Sequence, residues 1–244
     1  MIRGYPEIPE AERLLREAEC CNPGPWGNHS RVAAHCAAEI AKAAGMDAEK
    51  AYVLGLLHDI GRKFGVKHLA HVLDGYQYMM ELGYEEAARI CLTHSFNCPK
   101  LDVYIGNFDL PQDQQAWLQK YLDRLAYDDY DRLIQLCDCL AGSEGVVDME
   151  ARMNDVKKRY GFYRQDKWDA NLGLKSYFEE KTGKNIYMIV KKRGCHLTAS
   201  FDFLCCCRNV TERRRAVSQH AALCTHWQPA RLAYIFSGAE KPRM

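Results

Sequence analysis

Apolar residues recur three or four positions apart along most of the first 190 residues, and this spacing constrains the fold more than any other feature. It places apolar side chains on one face of a helix, whereas the alternation typical of strands is almost absent. The segment "NPGPWG" and several glycines separate the periodic stretches. The chain is therefore predicted to be all-α, with Asp47 and Asp148 as helix N-caps. The predicted helices begin near Pro9 and cover residues 30–44, 47–61, 67–83, 84–95, 113–126, 129–142, 148–161 and 167–183.

The character of the chain changes near Lys191. Residues 1–190 carry 23 Lys and Arg against 29 Asp and Glu, whereas residues 191–244 carry 10 against 3 and hold five of the twelve cysteines. We predict one domain over residues 1–190 and a basic, cysteine-rich C-terminal extension over residues 191–244. The extension is expected to be poorly ordered or unrelated to the domain. A nucleic-acid arm, or a metal site with His220, Cys224 and His226, is the alternative.

Several function classes are disfavoured by the sequence. No apolar run approaches the length of a membrane span, and the N-terminus lacks the apolar core of a signal peptide. A cytoplasmic location with reduced thiols is expected. The net charge of +1 argues against a nucleic-acid or membrane surface across the whole chain. The expected partner is a small molecule, with no membrane and no nucleic acid; a homodimer is left open.

The stretch "GLLHDIGRKF", residues 55–64, ends an apolar run with His58 and Asp59 side by side. Burying this pair is costly unless a hydrogen bond, an ion pair or a metal ion compensates it. Six of the nine histidines lie between positions 29 and 94, and Asp138 lies inside the apolar run "LIQLCDCLA". Imidazole and carboxylate groups are ligands that divalent metals prefer. One bound cation would satisfy His58, Asp59 and Asp138 together.

Three segments, "NHSRVAAHCAAEIA", "GLLHDIGR" and "LIQLCDCLAG", resemble in order the signature segments of the HD superfamily of metal-dependent phosphohydrolases. The pattern of that family is a histidine, a His-Asp doublet about one helix later and a distant aspartate. The matching positions are His29, His58 with Asp59, and Asp138. The resemblance implies an HD-domain bundle of helices with a metal site in its core, held by these four residues.

The resemblance also nominates His71 and His94, in "HVLDG" and "CLTHS", as ligands of a second metal. In binuclear members, the doublet aspartate bridges two ions and histidines from the next two helices complete the site. Some of those members have a histidine doublet where His94 is followed here by a serine. With one metal, His71 and His94 would contact phosphate or act as acid and base. His35 and His68 are weaker candidates, expected on a helix contact and at the surface.

Divalent cations at such a site lower the pKa of a bound water and polarise phosphoryl oxygens. Asp59 and Arg62 are the predicted catalytic residues, with Asp59 orienting the nucleophile. Arg62, Lys63 and Arg31 are candidates for binding the substrate phosphate, and an ordinary solvated charge is the alternative for each. The sequence thus predicts hydrolysis of a phosphate ester or anhydride, in a nucleotide or dinucleotide. It predicts one or two divalent ions (Mn, Fe, Ni, Co, Zn or Mg).

The loop of residues 97–112 is expected either to shape the substrate side of the cleft or to be an ordinary connection. In the first case, Asn107 and Asp109 would meet a sugar or base. Two rival functions follow from the same resemblance: a di-iron HD-fold oxygenase, and a non-catalytic regulator that binds a nucleotide.

Overall fold

A computed structural model of the chain describes residues 4–190, so the predictions for residues 191–244 lie outside the described residues. The part that is described contains helices and loops but no strand, apart from one isolated bridge between Ala141 and Val146, which confirms the all-α prediction. None of its helices combines the length and apolarity needed to cross a bilayer. The helices are α1 (Ile8–Cys21), α2 (Trp26–Ala43), α3 (Ala48–Leu57), α4 (Ala70–Glu81), α5 (Glu85–Thr93), α6 (Gln112–Asp123), α7 (Asp129–Leu140), α8 (Met149–Tyr160), α9 (Gln165–Thr182) and α10 (Ile186–Val190), with short 3-10 helices at Ile60–Phe64 and Leu101–Val103.

The core forms around α2, which packs along α3 and α7. Ala33, Ala34 and Ala37 on α2 are fully buried. Their small side chains let α3 approach so closely that a Cβ added at Gly55 would lie 2.8 Å from the Cα of Ala34. Interiors packed this tightly transmit displacements rather than absorb them. The α2–α3 contact therefore fixes the position of the C-terminal end of α3, where the His-Asp doublet follows.

Acidic N-caps set where three of the helices begin. Asp47 accepts two backbone N–H groups at the start of α3, and Asp148 accepts one at the start of α8, so both predicted caps are confirmed. Asp128 opens α7 with a capping box that it shares with Asp131. Helix α7 carries Asp138, so this cap fixes the phase of the helix that presents the distant carboxylate.

Two helix boundaries and one additional helix are the main differences from the predicted elements. Helix α3 ends at Leu57 instead of continuing to residue 61, and a 3-10 turn follows. Helix α2 begins at Trp26, inside the predicted breaker loop, with Pro25 as its N-cap. Proline is tolerated there because the first N–H groups of a helix have no intrahelical partner. Helix α10 was not predicted, since five residues are too few to show helical periodicity.

Candidate metal centre

The His-Asp doublet lies where α3 stops and the chain turns into the 3-10 helix Ile60–Phe64. The turn lies directly against α4, because a Cβ added at Gly61 would be 2.0 Å from the carbonyl oxygen of His71 and 2.5 Å from the amide nitrogen of Gly75. Only glycine permits so close an approach of two backbones. The glycine of "HDIG" thus brings Asp59 next to the first turn of α4, which carries His71.

The first group of candidate ligands consists of His29, His58 and Asp138. Nε2 of His29 lies 3.3 Å from Nε2 of His58 and 3.0 Å from Oδ1 of Asp138. Nε2 of His58 lies 4.0 Å from the same carboxylate oxygen. Three helical segments far apart in the sequence therefore bring one donor atom each to a common point.

The second group consists of Asp59, His71 and His94. Oδ1 of Asp59 lies 3.1 Å from Nε2 of His71 and 3.5 Å from Nε2 of His94, and the two nitrogens are 3.2 Å apart. The other oxygen of Asp59 is 3.9 Å from Nε2 of His58, which belongs to the first group. The two groups are therefore neighbours joined by the doublet, and together they contain all six residues that the sequence nominated as ligands.

Each of the four imidazoles turns its Nδ1 towards a main-chain carbonyl oxygen. The partners are Ala141 for His29 at 2.9 Å, Gly55 for His58 at 2.7 Å, Cys91 for His94 at 2.9 Å, and His68 for His71. A carbonyl oxygen only accepts, so each Nδ1 carries the proton and each Nε2 presents a lone pair. Four lone pairs and two carboxylates thus face one another with no proton of their own between them. This donor set fits a cation, and it matches the way that metal-bound histidines are oriented in proteins.

The electrostatics of the cluster favour the same protonation states. Burial lowers the pKa of His58 to about 4, and it also lowers the pKa of His71. Burial opposes ionisation of Asp59, but the charge of Arg62 outweighs it and holds the pKa of that carboxyl well below its ordinary value. The pKa of Asp138 is also lowered, although its burial opposes ionisation. Neutral imidazoles and ionised carboxylates are the forms that bind metal.

Arg62 is the one predicted substrate-binding residue that contacts the cluster. Its Nε donates to Oδ2 of Asp59 at 2.6 Å, and a third of its side chain is exposed. The contact leaves Oδ1 of Asp59 turned to His71 and His94, and this buried oxygen has no well-directed hydrogen bond. A buried acceptor in that state is costly unless something else binds it. Arg62 therefore orients Asp59 so that its free oxygen faces the candidate metal position.

The structure does not bring Arg31 and Lys63 into the cluster, so their binding of a substrate phosphate stays a prediction. The guanidinium of Arg31 donates to both carboxylate oxygens of Glu19, at 2.7 and 2.6 Å. The ammonium of Lys63 donates to the hydroxyl of Tyr78 at 3.0 Å and lies 4.3 Å from the centroid of that ring. Arg31 follows His29 by two positions on α2, so the two side chains leave the helix about 200° apart.

Asp109 fixes the start of α4 instead of lining the cluster. Its two carboxylate oxygens accept the backbone N–H groups of His68 and Ala70, both at 2.8 Å. The backbone of Asn107 meets α4 in the same place, where its carbonyl accepts the N–H of Leu69 at 3.2 Å. This part of the loop is therefore the structural connection that the sequence left as the alternative. His35 and His68 belong to neither group of candidate ligands.

Two cations that the sequence did not single out lie beside the cluster. Arg152 on α8 and Lys167 on α9 line a cleft that also contains His94 and Asp138. Both residues lie in the first turn of a helix whose sequence is mostly polar. In such a sequence, a basic residue is expected to be an ordinary solvated charge. Nothing in one sequence distinguishes them from the other basic residues of these helices, because their importance comes from how α8 and α9 pack on α7.

Comparison with known families gives a match over part of the chain. Residues 26–143 match the family model described as "HD domain". The matched range includes all six residues of the two candidate ligand groups, whereas α8, α9 and α10 lie outside it. Searches of the curated proteins and of the solved structures gave no match.

Proposed function

We propose that this chain, which belongs to the HD superfamily of metal-dependent phosphohydrolases through residues 26–143, hydrolyses a phosphate ester or anhydride of a nucleotide or dinucleotide. The observation that supports the proposal is the convergence of four Nε2 lone pairs and two carboxylates in two adjoining groups. Six acceptor groups this close together are compatible with two divalent cations. The identity of the metal is open, because His and Asp ligands accept several metals. When bound, such cations supply an activated water and offset the charge on the phosphoryl group.

The residues of the chain have separate tasks in this proposal. His29, His58 and Asp138 hold one cation position, and Asp59, His71 and His94 hold the other. Asp59 belongs to the second group and also lies 3.9 Å from His58 of the first, so its carboxylate is the one placed to orient the attacking water. Arg62 keeps Asp59 ionised and in place through the 2.6 Å contact, and its exposed part can reach a substrate oxygen.

The test combines elemental analysis with a substrate panel. Protein with the whole chain should contain up to two divalent ions and should release phosphate or nucleotide from members of a panel of nucleoside phosphates and dinucleoside polyphosphates. Replacing Asp59 by Asn should remove metal retention and turnover together, because the carboxylate serves both groups. Asp74→Asn is the control, since Asp74 is a comparably buried carboxylate that pairs with Lys67 outside the cluster.

The control should lose about 3 kcal/mol of stability, as expected when one partner of a buried ion pair is removed, while the folded protein keeps its metal. Retained metal and turnover in Asp59→Asn would refute the proposal. Oxygen consumption by an iron-rich preparation without phosphate release would instead support an oxygenase. Tight nucleotide binding without release under any divalent metal would support a regulator.

A further inference from the structure

A cleft opens on the side of the cluster formed by Asp138 and His94. Its walls come from the segment that follows α5, from α7, and from α8 and α9, which lie outside the matched HD range. Its volume is about 150 Å³. The cleft is therefore continuous with the candidate metal centre, while six of its fourteen lining residues lie beyond the matched range.

Arg152 and Lys167 are the two cations in the lining of this cleft. A guanidinium nitrogen of Arg152 lies 3.6 Å from Oδ1 of Asp138, and 30% of the side chain is exposed. Within residues 4–190, no hydrogen bond of this guanidinium is observed. The ammonium of Lys167 makes one hydrogen bond, to the carbonyl oxygen of Ser95 at 2.8 Å. Both groups therefore keep N–H donors for a ligand in the cleft.

These two cations differ from the other basic residues near the doublet. Arg31 has both carboxylate oxygens of Glu19, Lys63 has Tyr78, and Arg62 has Asp59. Arg152 shares Asp138 with the candidate metal position, and Lys167 has a neutral carbonyl as its partner. Burial lowers the pKa of Lys167, because an ammonium group loses its hydration there. A ligand that carries negative charge would give both side chains an anionic partner of their own.

The walls of the cleft also contain amide groups. Gln135 and Asn97 line it, and each has one buried oxygen without a hydrogen-bond partner, while their amide nitrogens are held by neighbouring carbonyls and by Asn171. The lining thus combines two incompletely paired cations with two buried amide oxygens that have no hydrogen-bond partner.

We infer that this cleft binds the terminal phosphate of a phosphomonoester, with Arg152 and Lys167 as the residues that select for it. The inference rests on the proposed function and narrows its substrate class. A phosphomonoester dianion carries one more negative charge than a diester, so two cations beside the metal centre favour the monoester. A guanidinium and an ammonium together can engage several phosphate oxygens at once.

The experiment measures binding and turnover in the whole chain loaded with Mn²⁺. Arg152→Gln and Lys167→Gln should each raise the KM for a nucleoside monophosphate by about tenfold, which corresponds to the loss of one charge-assisted hydrogen bond. They should weaken binding of inorganic phosphate by a similar factor and change kcat by less than about threefold. The KM for bis(4-nitrophenyl) phosphate, a diester, should change little. Metal content should stay at the value of the parent protein.

Matched controls come from the same helices. Arg159 on α8 pairs with Asp155, and Lys175 on α9 pairs with Glu179, so Arg159→Gln and Lys175→Gln remove the same charges away from the cleft. Neither should change the KM or phosphate binding. Arg152→Lys and Lys167→Arg keep the charge, so they should bind phosphate more tightly than the glutamine variants. They also provide the test if a glutamine variant is poorly folded.

The outcomes separate the two proposals. If phosphate binding depends on Arg152 and Lys167 but no substrate is turned over, the cleft assignment stands and the proposed hydrolysis fails. If turnover is normal and the double glutamine variant keeps its KM, its phosphate affinity and its metal, the cleft assignment fails alone. An equal rise of KM for monoester and diester would also overturn the preference for a terminal phosphate.

Discussion

The protonation of each imidazole in the cluster is set by where its Nδ1 points. The carbonyl partners fix the proton on that nitrogen, and burial disfavours the addition of a second proton to His58 and His71. The six acceptors are therefore ready for a cation at neutral pH. Without one, their mutual repulsion has to be compensated elsewhere in the fold.

Acidification should destabilise the metal-free protein between about pH 6.5 and pH 4. The His58 imidazole has an ordinary pKa of 6.5 in the unfolded chain and a pKa of about 4 in the folded one. Because the unfolded state takes up the proton first, the free energy of unfolding falls as the pH drops through this range, by roughly 3 kcal/mol for this one residue. Burial of His71 acts in the same direction. Urea unfolding in the presence of a chelator, at a series of pH values, measures the slope.

His58→Asn should flatten that slope, whereas His68→Asn, which lies outside both ligand groups, should leave it unchanged. The buried carboxylates of Asp59 and Asp138 do not contribute to the slope in this pH range. Their lowered pKa values remove stability only below about pH 4, where unfolded aspartates take up protons. A free energy of unfolding that stays constant from pH 7 to pH 4.5 would contradict the assignment of His58 as a buried neutral base.

At the scale of single residues, the sequence pattern identified the six candidate ligands. It did not indicate where the side chains of the neighbouring basic residues point. A histidine, a doublet and a distant aspartate can be recognised from order and spacing. Arg31 and Lys63 were chosen for closeness in sequence, and the structure turns them towards Glu19 and Tyr78. The direction of the Lys63 side chain depends on where α3 ends, and the predicted end at residue 61 was four residues too late.

At the scale of elements, the fold places the doublet through two close backbone approaches. One is α2 against α3 at Gly55, and the other is the 3-10 turn against α4 at Gly61. Periodicity predicted most of the helices with their approximate limits. It could not predict the break after Leu57, because Ile60 lies at helical spacing from Leu56 and Leu57.

Replacing Gly61 by Ala should separate the 3-10 turn from α4. A Cβ at this position would lie 2.0 Å from the carbonyl oxygen of His71, so the backbone has to move and Asp59 with it. We expect a stability loss of about 1–3 kcal/mol, typical of overpacking, and a fall in metal affinity. Denaturant unfolding and a metal titration measure the two effects.

Gly173→Ala is the matched control, because Gly173 lies on α9 with no atom near the position of an added Cβ. It should stabilise the protein by about 0.5–1 kcal/mol, as alanine does in a helix, and leave the metal affinity unchanged. Normal metal binding by Gly61→Ala would show that the turn can shift without moving Asp59, against the geometry described above.

At the scale of the whole molecule, the described helices beyond the HD match complete the packing and add the second wall of the cleft. Helix α10 packs against α2, and its Ile186, Ile189 and Val190 are buried. The sequence predicted a domain over residues 1–190 from composition, without any prediction of this last helix. The packing of α8 and α9 beside Asp138 could not be predicted, because it depends on contacts between distant segments.

A chain that ends at Val190 should fold and keep its metal. A chain that ends at Gly183 lacks α10 and should lose roughly 3 kcal/mol or more, because three buried side chains are removed from the contact with α2. Urea unfolding and elemental analysis of both chains give the comparison. Failure of the chain ending at Val190 to fold would show that residues 191–244 contribute to the domain, against the predicted boundary.

The carbonyl partners of the four imidazoles have a consequence for how sequences like this one can diverge. Every amino acid supplies a main-chain oxygen, so no mutation at positions 55, 68, 91 or 141 deletes the orienting group itself. Substitutions there disturb the imidazoles only if they shift the backbone. The orientation of these rings is thus set by the geometry of the helices. The side chains at the four positions can change as long as the backbone keeps that geometry.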